Sequence, residues 1–341
     1  MSKENMLIFF EAMYALNRSG INLYETLILI KQTNPRKEIQ QLANIIINEI
    51  MKGNTISEAL AKISYMPAFI VGALKAGEAS GRLENTLKIV VDQLQMDVEM
   101  TKKIKQVTLY PKFVVITMVV ALFICAKFIF PTFATMFGNQ EAELPVVTKI
   151  FIAVTNFVDE NYLLLGLVIC ALIAAGVAIK NWTYGRKLAE RATLKMPKIS
   201  LLYKLSKNKD MANYMGLLIT SGVNLGDAVE IYRKSTSSSM MNEVLIQSNR
   251  NMVQGKFLSD TLKSSPIIIP YLLEIIKIGE KSGELGISLL RMGKYLERNY
   301  EVELRKAIAI IEPSITIVMG LLVAVMVAAI MLPMLNLVTT F

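Results

Sequence analysis

The amino-acid sequence repeats itself at an offset of 202 residues. Under this shift, four glycines and two prolines of the first half each meet the same residue type in the second half: Gly20, Gly53, Gly77, Gly81, Pro111 and Pro131. Gly72 is the one glycine of residues 1–112 without such a counterpart. Because backbone geometry rather than side-chain volume selects these residue types, the register predicts two copies with shared turns and helix ends. A period this long favours two domain-sized units over a solenoid.

Composition indicates a membrane protein. The chain has 341 residues, of which 53% are hydrophobic, no histidine and a formal net charge of +9. Three stretches, 113–130, 162–179 and 307–334, are apolar enough to cross a bilayer, which takes about 20 mostly apolar residues. Cys125 and Cys170 both lie in these stretches, so the sequence does not predict a disulfide framework.

The distribution of basic residues predicts the orientation. Lysine and arginine number fourteen in residues 1–112 and twenty-one in residues 180–306, but one in residues 131–161. Because basic flanking segments stay in the cytoplasm, both large segments are predicted inside, with the acidic loop and the C-terminus outside. Two copies that point the same way need an additional crossing between them, which the stretch at 162–179 supplies. The repeats are therefore parallel, unlike the inverted repeats of many secondary transporters.

These observations predict an all-α membrane protein with two homologous cytoplasmic helical bundles, of about six helices each, and three transmembrane helices. The predicted segments follow in chain order: a first bundle (1–106), a transmembrane helix (107–131), a short external loop (132–161), a second transmembrane helix (162–180), a basic connector with the second bundle (181–306), a third transmembrane helix (307–334) and an external tail (335–341).

Helical periodicity predicts the helices of the first bundle near 3–18, 22–33, 37–51, 56–63, 67–78 and 82–106. One face of the third helix is predicted to be buried, because its apolar residues recur at three- and four-residue spacing: Ile39, Leu42, Ala43, Ile46 and Ile50. Asn22 with Glu25, and Thr55 with Glu58, have the spacing of a capping box at a helix start. In the second copy, Phe257 replaces the capping threonine.

The sharpest local motif is GEASGRL at Gly77–Leu83, which returns as GEKSGEL at Gly279–Leu285. A structural explanation uses a left-handed glycine at a helix end, a serine that caps the next helix and a leucine in the core. Packing of this corner does not require the glutamate, which therefore suggests a second role as a partner or interdomain contact. Both explanations stay open for the candidate residues: Gly77, Glu78, Ser80, Gly81, Gly279, Glu280, Ser282 and Gly283.

Several segments carry a resemblance to a known family. SGINLYETL pairs with SGVNLGDAV, GNTISEAL pairs with GKFLSDTL, and a GExSGxL corner follows in each copy. Further matching positions surround the predicted spans: Tyr110-Pro111, Phe130-Pro131, Leu144-Pro145 with Thr148, Glu312-Pro313 and Leu332-Pro333. Over nearly its whole length the chain resembles the inner-membrane platform proteins of type IV pili and type II secretion systems. The first bundle begins almost at the first residue, and in this the chain resembles the shorter platforms of type IVb pili and competence systems.

The resemblance implies a non-enzymatic platform that couples a cytoplasmic hexameric assembly ATPase to the insertion of pilin or pseudopilin subunits into a growing fibre. It also implies a homo-oligomer that works with other inner-membrane pilus or secretion components and binds no cofactor. The implied location is the bacterial inner membrane, with the N-terminus in the cytoplasm and the C-terminus outside. The alternative is an oligomeric membrane transport protein or channel with parallel internal repeats.

Glu312 is the one acidic residue inside a predicted span. Because such groups are costly in lipid unless paired or near the interface, three roles stay open: an interfacial carboxylate, a partner for a neighbouring subunit's basic residue, or a contact for a pilin helix. Pro313 follows it, and Pro111 occupies the equivalent place in the first copy, so both predict a helix bend. Pro131 and Pro333 form a second such pair.

The sequence argues against several chemistries. A phosphate loop is not expected, because Lys256 is followed by Phe257 and Arg250 stands where the first glycine belongs. With no histidine and both cysteines in apolar stretches, we expect no metal site, histidine-dependent triad or thiol redox pair. Aromatic residues do not alternate with the basic ones, so nucleic-acid binding is not expected. The protein is therefore predicted not to be an enzyme.

Overall fold

The computed structural model describes residues 1–124 and 183–339, together with Lys127 and Leu167. These residues contain helices and no strand, in agreement with the all-α prediction. The predicted external loop and the second span lie outside the described residues, apart from Leu167. The chain divides into two compact units, the first made of Met1–Lys103 with Thr183–Glu303 and the second of Ile104–Trp182 with Leu304–Phe341.

The helices of the first repeat begin and end close to the predicted positions. They are α1 (Lys3–Arg18), α2 (Leu23–Thr33), α3 (Lys37–Met51), α4 (Ile56–Ala61), α5 (Ala68–Ala79) and α6 (Leu83–Ile124). The main difference is in α6, which continues as one helix beyond the predicted bundle boundary at residue 106.

The second repeat reproduces this order after one additional helix. Its helices are α7 (Thr183–Lys195), α8 (Pro197–Thr220), α9 (Leu225–Ser235), α10 (Ser239–Val253), α11 (Leu258–Leu262), α12 (Pro270–Ser282) and α13 (Leu285–Thr339). Helices α2 and α3 recur as α9 and α10 with both ends shifted by 202 residues. The starts of α4, α5 and α6 recur at the same offset in α11, α12 and α13. The duplication predicted from glycines and prolines is therefore confirmed at the helix boundaries.

Side-chain caps and glycines set the ends of these helices. The Asn22 side chain accepts a hydrogen bond from the amide of Glu25 at 2.9 Å. Thr55 and Glu58 form a complete capping box, in which each side chain accepts from the backbone amide of the other residue. Among the described residues, the glycines with positive φ form three pairs at the repeat offset: Gly20 with Gly222, Gly53 with Gly255, and Gly81 with Gly283.

The core of the first bundle follows the predicted pattern. Four residues of the predicted face of α3 are fully buried: Ile39, Leu42, Ala43 and Ile46. Ile50, at the end of the same face, is half-buried. Phe9 and Phe10 of α1 add two fully buried rings, which meet edge to face with centroids 5.2 Å apart. Each such large apolar side chain contributes about 1.5–3 kcal/mol on burial, so the amphipathic stripe of α3 helps to hold the bundle together.

Among the described residues, α13 is the one helix that is long and apolar enough to cross a membrane, within Leu285–Val325. Its apolar stretch is not buried within the protein, and Ile317 and Leu321 are largely exposed. The described end of α6 also exposes apolar side chains, including Phe113 and Phe123. Exposed apolar surface of this extent indicates contact with lipid or with a partner.

Candidate functional site

Each GExSGxL corner joins two helices through a left-handed glycine. Gly81, which follows α5, has a φ of 67°, and Gly283, which follows α12, has a φ of 75°. A side chain at either position would be strained, because this backbone region favours glycine. The Ser80 hydroxyl donates back to the carbonyl one turn earlier at 2.8 Å, whereas the Ser282 hydroxyl accepts from the amide of Glu284 at 3.3 Å. The Ser282 hydroxyl also donates backward, to the Gly279 carbonyl at 3.5 Å, and its forward bond reaches the residue just before α13 rather than an amide of the first turn. The helix cap predicted from these serines is therefore not observed at either corner.

The first glycine of each corner permits close packing of the two helices that meet there. A Cβ at Gly77 would lie 2.4 Å from the hydroxyl oxygen of Thr86. A Cβ at Gly279 would lie 2.8 Å from the backbone Cα of Leu285. Both distances are shorter than real Cβ contacts, so both positions require glycine. Neither neighbour can rotate away, because the Cβ of Thr86 also lies 2.8 Å from a Cβ at Gly77 and, like the Cα of Leu285, is fixed by the backbone.

Glu78 stands near the end of α5, but its carboxylate accepts hydrogen bonds from the start of α4. The amide of Ile56 donates to one carboxylate oxygen at 2.7 Å. The amide of Ser57 donates to the other oxygen at 3.2 Å, and the Ser57 hydroxyl donates to that same oxygen. The amides of a first helical turn have no partner within their own helix. Glu78 satisfies two of them and places a negative charge at the positive end of the helix dipole.

Glu280 makes the equivalent contact in the second repeat. Its carboxylate accepts from the amide of Leu258 at 2.6 Å and from the amide of Ser259 at 3.1 Å. The residue before this helix, Phe257, provides no side-chain cap, whereas Thr55 caps α4 in the first repeat. The start of α11 therefore depends on Glu280 more than the start of α4 depends on Glu78.

These contacts overturn one interpretation of the sequence. The inference that packing of the corner does not require the glutamate is wrong, because each glutamate ties its corner to a helix start 22 residues earlier. The same separation between helix start and glutamate occurs in both copies, as the repeat without gaps requires. Contact of these corners with another protein or domain remains a prediction. A groove of about 610 Å³ beside the second corner is lined by Glu280, Phe257 and the 90% exposed Val253.

The first compact unit contains an interface between the two repeats, where α5 packs against α8 and α9. A Cβ at Gly72 would lie 2.6 Å from Cδ1 of Ile231 and 3.3 Å from Cδ2 of Leu218. The rings of Phe69 and Tyr214 stack beside this point, with centroids 4.5 Å apart. The one glycine of residues 1–112 that lacks a counterpart is therefore a point at which the two bundles approach each other closely. Sequence reasoning noted that exception but did not explain it.

A polar cluster lies at the same interface. The Asp97 carboxylate accepts from Lys3 at 2.7 Å, from the Tyr214 hydroxyl at 3.0 Å and from Gln93 at 3.0 Å. Burial, with Asp97 beside it, raises the pKa of Tyr214 well above its ordinary value. Burial lowers the pKa of the nearby Lys209 ammonium, but neighbouring carboxylates, including Asp97, raise it further, so that the net direction is upward. Both groups keep their protons at neutral pH, and the cluster thus links the first repeat to the second.

The two repeats also match one family at the same offset. The family described as Type II secretion system (T2SS), protein F, matches residues 9–131 and again residues 211–333. These two matches together cover more than half of the chain. The chain belongs to this family. Members of the protein F family are inner-membrane platform proteins, so the resemblance seen in the sequence is confirmed.

Individual protein F relatives cover almost all of this chain. The type IV pilus assembly protein PilC of Thermus thermophilus is 26% identical, over 99% of this chain and 83% of its own length. The type II secretion system protein F of Pseudomonas aeruginosa is 23% identical, over 99% of this chain and 84% of its own length. A protein transport protein HofC homolog of Escherichia coli is 23% identical, over 94% of this chain and 81% of its own length.

The predicted membrane residues of this protein F family member are described only in part. Pro111 lies inside α6, and α13 runs through the positions of Pro313 and Pro333 as one helix. The bends predicted at these prolines remain predictions. Pro131 and the side chain of Glu312 lie outside the described residues, so the three roles considered for that carboxylate also stay open.

The described residues contain no group of three or more histidine, cysteine, aspartate or glutamate side chains that could hold a metal ion. The carboxylates of Glu78 and Glu280 instead have backbone amides as partners. The chemistry available at the corners is therefore hydrogen bonding and charge.

Proposed function

We propose that this protein is the platform of a type IV pilus or type II secretion-like assembly machine. In this role it couples a cytoplasmic hexameric ATPase to the insertion of pilin or pseudopilin subunits into a fibre, without catalysing a reaction itself. The observation that carries the proposal is the double match to the protein F family, in the register of the internal repeat. The names of the relatives, which include pilus assembly and secretion proteins, support the same role.

The interface between the repeats supports a mechanical role for the cytoplasmic part. The Gly72 contact joins α5 to α8 and α9, and a salt bridge of 2.5 Å joins Lys103 of α6 to Glu301 of α13. Two bundles joined in this way would move together when a motor acts on either of them. We propose that the ATPase applies its motion to this paired unit, which would act with other inner-membrane components.

The exposed apolar helices suit the handling of pilins. Helices α6 and α13 both carry exposed apolar side chains beyond the first compact unit, including Phe113 and Ile317. We propose that they form the first and third of three spans, with the two bundles in the cytoplasm, the C-terminus outside and segment boundaries as predicted. In a homo-oligomer, these spans would offer pilin helices an apolar surface on which to move outward.

Site-specific crosslinking in intact cells tests this function. A photoreactive residue replaces Val253, which is 90% exposed on the second bundle, or Ile317, which is 70% exposed on α13. We expect an ATPase adduct from position 253 and a pilin or pseudopilin adduct from position 317, with fibres lost when the gene is deleted. Fibres that persist in the deletion strain would rule out the platform role. Solute flux through vesicles that contain the purified protein would favour the transport alternative instead.

A paired substitution separates the partner role of the corners from their structural role. Lys281 is exposed between Glu280 and Ser282, and Ala79 is its exposed counterpart in the first corner. If the corners bind a partner, Lys281→Glu and Ala79→Glu should reduce fibre assembly at least severalfold without changing the thermal stability of the protein. Glu280→Ala is the control, because it removes the hydrogen bonds to α11 and should lower stability. Normal fibres in both surface variants would contradict the partner role.

A further inference from the structure

The segment from Thr183 to Leu201 comprises α7 and the first turn of α8, and it precedes the part of the second bundle that repeats the first at the 202-residue offset. We call its outward side the connector face and define it by the exposed residues Leu188, Arg191, Ala192, Lys195, Met196, Lys198, Ile199 and Leu201.

The inward side of α7 is fixed to the second bundle. The Glu190 carboxylate is buried and accepts from the amides of Ser239 and Met240, at 2.8 and 3.0 Å, at the start of α10. Lys187 adds an ion pair of 2.5 Å with Glu243 of the same helix. These contacts hold α7 in one rotation about its axis. The contacts of Glu190 and Lys187 with α10 therefore fix which side of α7 faces away from the bundle.

The connector face exposes four large apolar side chains. Leu188 is 67% exposed, Met196 56%, Ile199 50% and Leu201 41%. Leu188 and Ala192 are four residues apart and so lie on one face of α7. Single exposed apolar residues are common on soluble proteins, but four large ones within fourteen residues are a local concentration that indicates a contact.

The charge of the connector face has one sign. Between residues 183 and 209 the sequence contains one acidic residue, Glu190, and its side chain is turned inward. Arg191, Lys195 and Lys198 are exposed, and none of them forms an ion pair within the part of the chain that the structure describes. The outward surface is therefore made of apolar and basic side chains, with no acidic group to attract a basic partner.

We propose that the connector face lies in the surface of an anionic lipid bilayer and binds its headgroups. Apolar and basic residues on one side of a helix are the composition of segments that lie in the membrane interface. Chain continuity supports this occupant, because α7 begins three residues after the predicted end of the second span at residue 180. The one tryptophan of the chain, Trp182, directly precedes α7, and tryptophan favours the membrane interface. The proposal needs the membrane anchor but not the coupling to an ATPase.

Quenching by brominated lipid tests the apolar part of this proposal. The full chain carries Trp182→Phe together with Leu188→Trp or Ile199→Trp and is placed in nanodiscs of phosphatidylcholine with phosphatidylglycerol. We expect lipids brominated on the acyl chains to quench about half of the emission from either position, as for a side chain at the headgroup boundary. The control is Val253→Trp at the far end of α10, about 20 Å along that helix from the end held by Glu190. It should keep its emission.

Charge removal tests the lipid specificity. Arg191→Gln, Lys195→Gln and Lys198→Gln, combined, should reduce the quenching at position 188 about twofold in the anionic nanodiscs. The matched control removes three exposed lysines elsewhere on the second bundle, Lys256, Lys263 and Lys277, and should leave the quenching unchanged. Equal quenching in nanodiscs of phosphatidylcholine alone would overturn the anionic preference. If brominated lipid quenches neither the tryptophan at 188 nor the one at 199, the proposal is overturned. If aqueous acrylamide also fails to quench these tryptophans, a protein covers this face.

Discussion

The two bundles share their left-handed glycines and helix boundaries but differ in the side chains that cap the equivalent helices α4 and α11. In the first bundle, Thr55 caps α4 and Glu78 satisfies two further amides. In the second, Phe257 offers no side-chain cap, and Glu280 alone provides a side-chain acceptor to α11. The comparison teaches that the corner glutamate is the common requirement, while the local cap is a supplement that one copy lacks.

A second difference concerns the surfaces. Gly72 lets α5 approach the second repeat, whereas Glu274 occupies the equivalent position on α12 and is exposed. The same helix face is therefore an interface in one copy and a charged surface in the other. This difference fixes which faces of the two bundles meet, because a glutamate at the contact would place a charge against Ile231.

The largest effect is expected from copying the second repeat into the first at this position. Gly72→Glu should lower the local stability of α5 and α9 by about 3 kcal/mol, because the new side chain must enter the contact with Ile231. Hydrogen exchange of the full chain in nanodiscs measures this loss. The reverse change, Glu274→Gly, should cost about 1 kcal/mol in α12 alone, through helix propensity. Unchanged exchange in α9 of the Gly72→Glu protein would contradict the importance of this contact.

The next effect concerns the corner glutamates. Glu280→Ala should destabilise α11 by about 2 kcal/mol, since two amides at its start lose their acceptor, and Glu78→Ala should cost α4 about 1 kcal/mol, because Thr55 still caps it. Hydrogen exchange of the two helices gives both values.

The missing cap offers a way to sharpen this test. Phe257→Thr, in front of Asp260, should restore a cap and recover about 0.5 kcal/mol or more of the loss in Glu280→Ala. Phe257 is half exposed, so little buried apolar surface is lost with it. No recovery in the double variant would show that the two caps act on different parts of the helix.

Substitution of the two left-handed glycines should have a smaller effect on stability, and the effect should be the same in both repeats. Gly81→Ala and Gly283→Ala should each cost about 1 kcal/mol, because a Cβ strains the backbone at positive φ although no atom lies within 4 Å of it. Thermal unfolding of each variant checks this. Gly226→Ala in α9 is the control with the opposite sign, since its φ is not positive and alanine favours the helix. Clearly unequal losses at the two corners would show that the repeats differ in geometry there.

The smallest effect is a pH dependence at the end of α3 that the equivalent end of α10 lacks. Hydrogen bonds from Lys52, Lys62 and Asn54 and the charge of Lys52 lower the pKa of Glu49 from 4.5 to about 2, against an opposing effect of burial. A lowered pKa stabilises the folded state above pH 4.5, and this contribution is lost as the pH falls towards 2. The equivalent Asn251 bonds to Thr261 and does not titrate. As the pH is lowered, amide hydrogen exchange at the end of α3 should therefore increase at a higher pH than exchange at the end of α10. Glu49→Gln should remove this difference between the two helices.

Much of the fold was predictable, because helix periodicity and backbone geometry are local properties. The bounds of α1 to α5 and the buried face of α3 agree with the predictions to within a few residues. Gly81 and Gly283 were also predictable as left-handed residues at helix ends. The role of Glu78 was not, since its partner amides are distant in the sequence and no local pattern marks them. Glu190 escaped notice for the same reason.

The sequence by itself determined that this protein is a duplication of a helical module with apolar segments, because glycines, prolines and periodic apolar residues act through their immediate neighbours. The tertiary structure decided which helix start each glutamate satisfies, why Gly72 lacks a counterpart and which side of α7 faces outward. These outcomes depend on which helices meet in space. A hydrogen bond or a close contact between distant segments exists only after the chain has packed.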